Sequence, residues 1–417
     1  MIQRSRGMLR QLGPGLITGA ADDDPSGIAT YSQAGAQFGY QLGWTVVLTY
    51  PLMVGIQMVS ARMGRVTGHG LADNIRRNFP PVVLYAIVAM LLVANTINIA
   101  ADIAAMGEAL RLVVGGRAHF YAVAFGALGL TLQVFLPYRQ YVRYLRWLTL
   151  SLLAYVAVIF AIQLPVRDVL VGILFPKLTF SPEMITVIVA VFGTTISPYL
   201  FFWQAAQEVE DIKADPAANA LKLDPADGRK QLRRIKTDTY IGMGFSNLIA
   251  LFIIISTAAT LHASGITDIQ TSAQAAEALR PVAGEFTFLL FSMGIIGTGL
   301  LAVPVLAGSA AYAVSETFQW KGGLDFKLWE AREFYAIVAL ATVGGVILNF
   351  TKIDPIKALF WSAVINGVIA VPIMAVMMLL GADEKVMGTF TIRRRLKILG
   401  WLATFIMGIA VVAMFIV

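Results

Sequence analysis

Cysteine is absent from the 417 residues, so the chain can form neither a disulfide nor a thiolate metal site. The three histidines, His69, His119 and His262, lie far apart and lack the H-E-x-x-H spacing of a zinc enzyme. The phosphate-binding motif G-x-x-x-x-G-K-[ST] is also missing, which argues against a protein driven by ATP hydrolysis. Charged residues make up only 14% of the chain, against about 25% in soluble domains. These absences point away from a soluble enzyme.

Long apolar runs are abundant instead. Hydrophobic residues make up 58% of the chain, and the mean hydropathy is +0.73. About 20 apolar residues span a hydrocarbon core of about 30 Å. We therefore predict an all-α polytopic membrane protein that forms a single transmembrane domain over residues 1–417. The eleven predicted segments cover about 12–38, 41–63, 81–110, 119–137, 146–165, 182–206, 239–262, 285–316, 333–350, 355–380 and 398–417.

Positive charge is distributed unevenly between the two sides of this arrangement. With the N-terminus inside, 25 Lys and Arg residues lie in cytoplasmic segments and 7 lie outside, which is the asymmetry expected of membrane proteins. The N-terminus is therefore predicted to be cytoplasmic and the C-terminus to be outside, in the cell inner (plasma) membrane. Residues 1–10 are basic and lead directly into the first segment, so no cleavable signal is expected. The net charge of +7 lies in short loops, which argues for a lipid bilayer as the partner and against nucleic acid.

The first segment ends in an acidic stretch, with Asp22, Asp23 and Asp24 before Pro25 and Gly27. A carboxylate inside a membrane segment costs about 2.5–3.5 kcal/mol, so three of them require a reason. Proline removes a backbone donor and glycine tolerates conformations that end a helix, so we predict a break from Asp24 to Gly27. Freed carbonyls beside a carboxylate at membrane depth would form a cation site.

The sixth segment contains a second interruption, Gly193 to Tyr199, in which Ser197 precedes Pro198. The first and sixth segments each open a block of five, about 12–165 and about 182–380, and the segment at about 398–417 is extra. Broken helices at matching positions of two inverted repeats indicate a midplane binding site in a transporter. Prolines also kink membrane helices without forming a site, so the second break alone leaves both readings open.

The chain resembles the NRAMP family of divalent metal transporters over nearly its whole length. Asp24-Pro25-Ser26-Gly27 resembles the family's Asp-Pro-Gly-Asn motif, residues 65–72 resemble its loop after the second helix, and residues 383–388 resemble its loop after the tenth. The resemblance implies a LeuT-like fold with two inverted five-helix repeats and an additional helix. It also implies no cofactor other than the transported ion and no obligatory protein partner.

The resemblance also implies a ligand set for the metal. Asp24 matches the family's aspartate, and the backbone carbonyls would come from Ala21 and Thr194. Gly27 stands in place of the family's asparagine and Ser197 in place of its methionine. A thioether favours Mn²⁺, Fe²⁺ and heavier ions, so its loss removes that discrimination. A roomier site with oxygen ligands only, close to Asp22 and Asp23, would suit a partly hydrated Mg²⁺, as in the NRAMP-related magnesium transporters.

Proton coupling is expected to be depleted. Tyr199 replaces the family's histidine, and a phenol keeps its proton at neutral pH. Asp102 is the one acid left where the family often has two, and Arg332 is the candidate for a surviving arginine of the ninth helix. Asp102 and Asn366 could line the ion path, or they could form hydrogen bonds between helices, as polar residues in membranes commonly do.

The sequence therefore predicts a secondary transporter that imports Mg²⁺, tolerates Mn²⁺ and is not coupled to protons. The alternative within the same class is a proton-coupled Mn²⁺/Fe²⁺ importer. A sodium-coupled amino-acid symporter is disfavoured because the carboxylates would repel the carboxylate of its substrate. An intramembrane enzyme lacks a catalytic constellation. Two broken helices in repeat positions favour alternating access, and the sequence leaves a channel open as the other reading.

Overall fold

A computed structural model of the chain describes residues 18–19, 21–135, 148–215, 218–324, 326–350 and 354–417. Within these ranges the regular structure is entirely helical. The longer helices are α1 (Pro25–Phe38), α2 (Gly43–Thr67), α3 (Leu71–Asn78), α4 (Pro81–Val114), α5 (Ala118–Phe135), α6 (Leu153–Ala161), α7 (Val166–Leu174), α8 (Pro182–Thr195), α9 (Pro198–Ala214), α10 (Gly228–Thr260), α11 (Thr287–Phe318), α12 (Arg332–Leu348), α13 (Pro355–Ala382) and α14 (Arg394–Ile416). Parts of the predictions lie outside the described residues: the start of the first segment and the basic residues Arg4, Arg6, Arg10, Arg139, Arg143, Arg146 and Lys352.

Each predicted segment has a helical counterpart, although the count of spanning helices differs. In the described residues eight helices are long and apolar enough to cross a membrane, or nine if one bent pair counts as a single span. The prediction counted eleven because residues 25–67 hold two of its segments, separated by a short helical turn at Gly39–Leu42. In addition, α12 has only 17 residues, and the fifth segment bends by 118° between α6 and α7.

The loop predicted between the sixth and seventh segments is shorter than expected. The segments predicted at about 182–206 and 239–262 leave residues 207–238 between them, but α9 continues to Ala214 and α10 begins at Gly228. The polar residues of these extensions form contacts of their own, and one of them is an ion pair between Glu208 and Arg234. Apolar periodicity alone therefore underestimates the length of both helices.

The segment at residues 65–72, which resembles the family's loop after the second helix, leads from α2 into the short helix α3. Gly68 adopts a left-handed conformation with φ +70° and ends α2. The N-terminal turn of α3 is joined to α11, because the Asp73 N–H donates to the Glu316 carboxylate at 3.2 Å. Partial burial opposes the charge of Asp73, but hydrogen bonds from His69 and two arginines of α3 hold its pKa well below its usual range. The loop is thus anchored to the C-terminal end of α11.

The helix α4 runs through the middle of the bundle and packs against α5, α11, α12 and α13. The broken pair α8 and α9 packs against α13 on one side and against α2 and α11 on the other. At one crossing the backbones of α8 and α13 touch, because a Cβ atom at Gly193 would lie 2.1 Å from the Ala363 carbonyl oxygen. Small residues commonly permit such close approach between membrane helices.

This crossing predicts a large effect on stability for Gly193→Ala. The added methyl group would meet backbone rather than a flexible side chain, so α8 and α13 must separate, and overpacking costs about 1–3 kcal/mol. We expect a lower unfolding temperature in detergent, measured by light scattering or intrinsic fluorescence. Gly129→Ala on α5 is the matched control, since no atom lies within 4 Å of its added Cβ. Equal unfolding temperatures for the two variants would contradict this account of the crossing.

Candidate metal site

The first helix breaks immediately before α1. The backbone is helical at Asp22, bends at Asp23 and is extended at Asp24, with φ −75° and ψ 170°. Asp24 caps α1, because its carboxylate accepts a hydrogen bond from the Gly27 N–H at 2.7 Å. Pro25 occupies the first turn of α1, where its missing N–H is not needed. The predicted break is confirmed but is wrong in extent, since Pro25 and Gly27 begin the next helix instead of lying in the gap.

The second break separates α8 from α9. It consists of Ile196 and Ser197, and Pro198 opens α9 in the same way that Pro25 opens α1. The Ser197 hydroxyl turns back toward the end of α8, where the Thr194 carbonyl oxygen lies 2.8 Å from it. The hydroxyl oxygen of Ser197 keeps lone pairs that could contact a cation. Both interruptions predicted from proline and its neighbours are therefore present.

The two breaks meet in space. The Tyr199 hydroxyl on α9 donates to the Ala21 carbonyl oxygen at 3.1 Å, which joins the second break to the first. A Cβ atom added at Gly27, in the first turn of α1, would lie 3.2 Å from the Thr194 hydroxyl oxygen and 3.3 Å from the Tyr31 ring. The expectation that Gly27 enlarges the site is therefore wrong, because these two side chains already occupy the space beside it.

Asp22 and Asp23 share one hydrogen-bond donor on α10. The Ser246 hydroxyl lies 2.6 Å from Asp22 Oδ2 and 3.0 Å from Asp23 Oδ1. A hydroxyl group carries one proton, so it can satisfy only one of these carboxylates at a time. Asp22 Oδ1 has no hydrogen-bond partner within the described part of the chain. Two buried carboxyl groups with a single shared hydroxyl donor therefore lie beside Asp24 in the chain.

A second hydrogen bond to the Asp24 carboxylate comes from α4. The Asn98 side-chain amide donates to Asp24 Oδ2 at 3.0 Å. The Asn98 carbonyl oxygen in turn accepts from the Ser362 hydroxyl of α13 at 2.6 Å. Ser26 joins the same group, with its hydroxyl 3.3 Å from that of Ser362. Helices α1, α4 and α13 are thus connected by hydrogen bonds that end on the Asp24 carboxylate.

Two other predicted residues lie one turn farther along these helices. Asp102 follows Asn98 by four residues on α4, and Asn366 follows Ser362 by four residues on α13. Asp102 is fully buried, and neither of its carboxylate oxygens has a hydrogen-bond partner among the described residues. The Asn366 side-chain oxygen is likewise without a partner there. These three oxygen atoms therefore have no hydrogen bond to a neighbouring helix within the described ranges.

The candidate site is closed to solvent, and its acidic side chains are not arranged to coordinate a metal ion by themselves. Asp22, Asp23 and Asp24 are 1%, 4% and 2% exposed, so an ion can enter only if helices move. Among the described residues no three His, Asp or Glu side chains are placed to hold a metal ion together. An ion here would rely on Asp24, on backbone carbonyls and hydroxyl groups, and on its own water. Such a donor set, made of oxygen alone, suits hard divalent cations.

Several residues of this site were missed by sequence reasoning. Ser26, Tyr31, Ser246 and Ser362 all lie near the breaks, and Tyr31 bonds Thr195 at 3.1 Å between the two hydroxyl oxygens. Each is a polar residue within an apolar segment, which is a signal. Many other serines and threonines share that signal, and their hydroxyls bond their own helix. Only the packing of the helices separates the two groups.

The sequence model of the family described as "Natural resistance-associated macrophage protein-like" matches residues 15–417. The chain belongs to this family. The resemblance found in the sequence is thereby confirmed at the level of the family, and the chain is a multi-pass membrane transporter of divalent metal ions and not an enzyme.

Named relatives and solved structures agree with this membership. The chain is 27% identical to the "Divalent metal cation transporter MntH" of Bradyrhizobium diazoefficiens over 408 residues, covering 95% of this chain and 87% of that protein. A crystal structure of the Eremococcus coleocola manganese transporter superposes with a TM-score of 0.73 at 18% identity, covering 96% of this chain and 85% of that one.

A second fold neighbour comes from another class of transporter. Mhp1, a nucleobase-cation-symport-1 family transporter in a closed conformation, superposes with a TM-score of 0.62 at 15% identity, covering 97% of this chain and 92% of its own. At such low identity the likeness concerns the fold alone, which is the predicted LeuT-like arrangement. The ligand set of this family member stays a prediction.

Proposed function

We propose that this transporter carries Mg²⁺ into the cell, tolerates Mn²⁺, and binds the ion at Asp24 with part of its water shell retained. The observation that supports the proposal best is the set of donors around the two breaks. Asp24, the carbonyls of Ala21 and Thr194, and the hydroxyl of Ser197 offer oxygen only. Mg²⁺ keeps several waters and is commonly bound through one or two carboxylates, so it needs few direct ligands.

The mechanism follows from the positions of the breaks. Asp24 caps α1 and Pro198 opens α9, so the ion would lie between two helix pairs that can each bend at one point. Rocking of α1, α8 and α9 against the bundle around α4 would expose the closed site first to one side and then to the other. The membrane potential contributes about 4.6 kcal/mol for a divalent ion at 100 mV, taking about 2.3 kcal/mol per charge.

The proposal includes transport without proton coupling. Tyr199 occupies the position of the family's histidine, and its hydroxyl donates to the Ala21 carbonyl. A phenol held in this way keeps its proton and cannot pass one on at neutral pH. The ion gradient and the membrane potential are then the only driving forces.

The second candidate function is a proton-coupled Mn²⁺ importer. The named relatives favour it, since one is called a divalent metal cation transporter and another a manganese transporter. The buried Asp102 favours it as well, because a carboxyl without a hydrogen-bond partner within the described ranges could take up a proton.

Uptake by purified protein in liposomes separates the two candidates. Mg²⁺ entry is followed with an internal dye while Mn²⁺, Ca²⁺ or Cd²⁺ is added outside. We expect Mg²⁺ entry that Mn²⁺ inhibits and Cd²⁺ inhibits weakly, because the site has no soft ligand. Mn²⁺ entry without Mg²⁺ entry, or strong inhibition by Cd²⁺, would contradict the first proposal and favour the second.

A further inference from the structure

Both oxygens of the Asp24 carboxylate are occupied by N–H donors in the closed site. Oδ1 accepts from the Gly27 backbone at 2.7 Å, and Oδ2 accepts from the Asn98 amide at 3.0 Å. The first donor belongs to the cap of α1 and would be present with any residue that has a backbone N–H. The second depends on one side chain of α4. Asn98 is fully buried, so it cannot turn to water instead.

The orientation of the Asn98 amide is fixed by Asp24. A carboxylate can only accept hydrogen bonds, so the amide must present its nitrogen to Asp24. Its oxygen then faces the Ser362 hydroxyl, which donates to it at 2.6 Å. Reversal of the amide would bring two oxygens together at Asp24 and leave the Ser362 proton to the Leu359 carbonyl, 2.7 Å away. Ser362 thus satisfies the amide oxygen in the orientation that Asp24 imposes.

This arrangement acts differently on different cations. Ca²⁺ takes 6–8 oxygen ligands and often binds a carboxylate through both oxygens, whereas Mg²⁺ needs octahedral geometry and commonly takes one oxygen. An ion bound by both oxygens of Asp24 competes with the Asn98 amide for the lone pairs of Oδ2, whereas an ion bound through Oδ1 alone leaves the Asn98 hydrogen bond in place. Because Ser197 replaces a thioether, ligand softness can no longer exclude Ca²⁺.

We propose that Asn98, whose amide oxygen is satisfied by Ser362, determines selectivity by keeping the Asp24 carboxylate from chelating Ca²⁺ through both oxygens. Asn98 acts through Asp24, so it is a positioning residue. This inference rests on the proposed function only in that Asp24 contacts the transported ion.

The same helix offers a matched control. Asn95 lies one turn before Asn98 and is equally buried, but its amide donates to the Leu306 carbonyl and to the Ser309 hydroxyl of α11, both at 2.8 Å. Asn95 and Ser309 therefore form a second buried pair of asparagine and serine, with the hydrogen bond in the opposite direction and without a contact to Asp24. Removal of either pair eliminates a buried hydrogen bond, but only the pair of Asn98 and Ser362 is connected to Asp24 and so to the ion.

The experiment measures Mg²⁺ uptake in proteoliposomes with Ca²⁺ as the competitor. The readout is the Ca²⁺ inhibition constant divided by the KM for Mg²⁺. For Asn98→Leu we expect this ratio to fall at least about fivefold, as a charge-assisted hydrogen bond no longer opposes Ca²⁺. Ser362→Ala should lower the ratio by a smaller factor, and Ser362→Thr, which keeps the hydroxyl, should restore it. Asn95→Leu and Ser309→Ala should leave it within twofold of the wild type.

Three results would overturn the inference: an unchanged ratio in Asn98→Leu, an equal fall in Asn95→Leu, or equal ratios for Ser362→Ala and Ser362→Thr. If Asn98→Leu does not fold, the comparison of Ser362→Ala with Ser362→Thr tests the inference by itself. If the wild type carries Mn²⁺ and not Mg²⁺, the ratio is measured with Mn²⁺ as the transported ion. In that case the proposed selectivity fails, and the role of Asn98 is still tested.

Discussion

Asp24→Asn is expected to abolish uptake of divalent ions while leaving the fold intact. Asparagine caps a helix about as well as aspartate, so the bond to the Gly27 N–H and the start of α1 should persist. The ion loses the one carboxylate of its proposed ligand set, and we expect uptake to fall at least about 100-fold, equivalent to about 2.8 kcal/mol. Initial rates in proteoliposomes measure the effect, and the unfolding temperature verifies the fold.

The chain contains a matched control for this change. Asp354 also precedes a proline and also caps a helix, with its carboxylate accepting from the Ile356 N–H of α13 at 2.9 Å. Asp354→Asn therefore repeats the change in cap chemistry away from the breaks, and we expect transport close to that of the wild type. Substantial uptake by Asp24→Asn, or equal losses in both variants, would show that Asp24 serves only as a cap.

Ser197→Met is expected to change which ions compete. The substitution places a thioether at the second break, beside the Thr194 carbonyl that Ser197 now contacts at 2.8 Å. Soft ligands favour Cd²⁺ and Mn²⁺ over Mg²⁺, so inhibition of uptake by Cd²⁺ should strengthen at least about tenfold. The concentration of Cd²⁺ that halves uptake is the measurement.

Ser197→Leu controls for the size of the new side chain. Leucine fills a similar volume without sulfur, so it should weaken transport without improving inhibition by Cd²⁺. If the leucine and methionine variants responded alike to Cd²⁺, residue 197 would not contact the ion, and the selectivity argument based on this position would be wrong.

The places where the helices break could be predicted from the sequence because their causes are local. Pro25 and Pro198 each lack a backbone donor, and the acidic stretch before Pro25 is too costly in a membrane to be incidental. What the sequence did not reveal was the extent of the first break, since Pro25 is also favourable in the first turn of a helix. Proline is therefore compatible both with the end of one helix and with the start of the next.

The partners of the acidic residues could not be predicted, because they come from distant segments. Ser246 lies more than 200 residues from Asp22, and Ser362 lies 264 residues from Asn98. Gly27 shows the same limit in another form. Its missing side chain suggested empty space, but Thr194 and Tyr31 from neighbouring turns and helices fill it. Packing across helices, and not local pattern, determines the room at the site.

The most direct test of the account records Mg²⁺ entry and internal pH in the same proteoliposomes, with the membrane potential clamped by potassium and valinomycin. The account predicts that Mg²⁺ enters, that the interior does not acidify, and that an imposed pH gradient leaves the rate unchanged. Acidification in proportion to the metal that enters would contradict it and would establish a proton-coupled carrier.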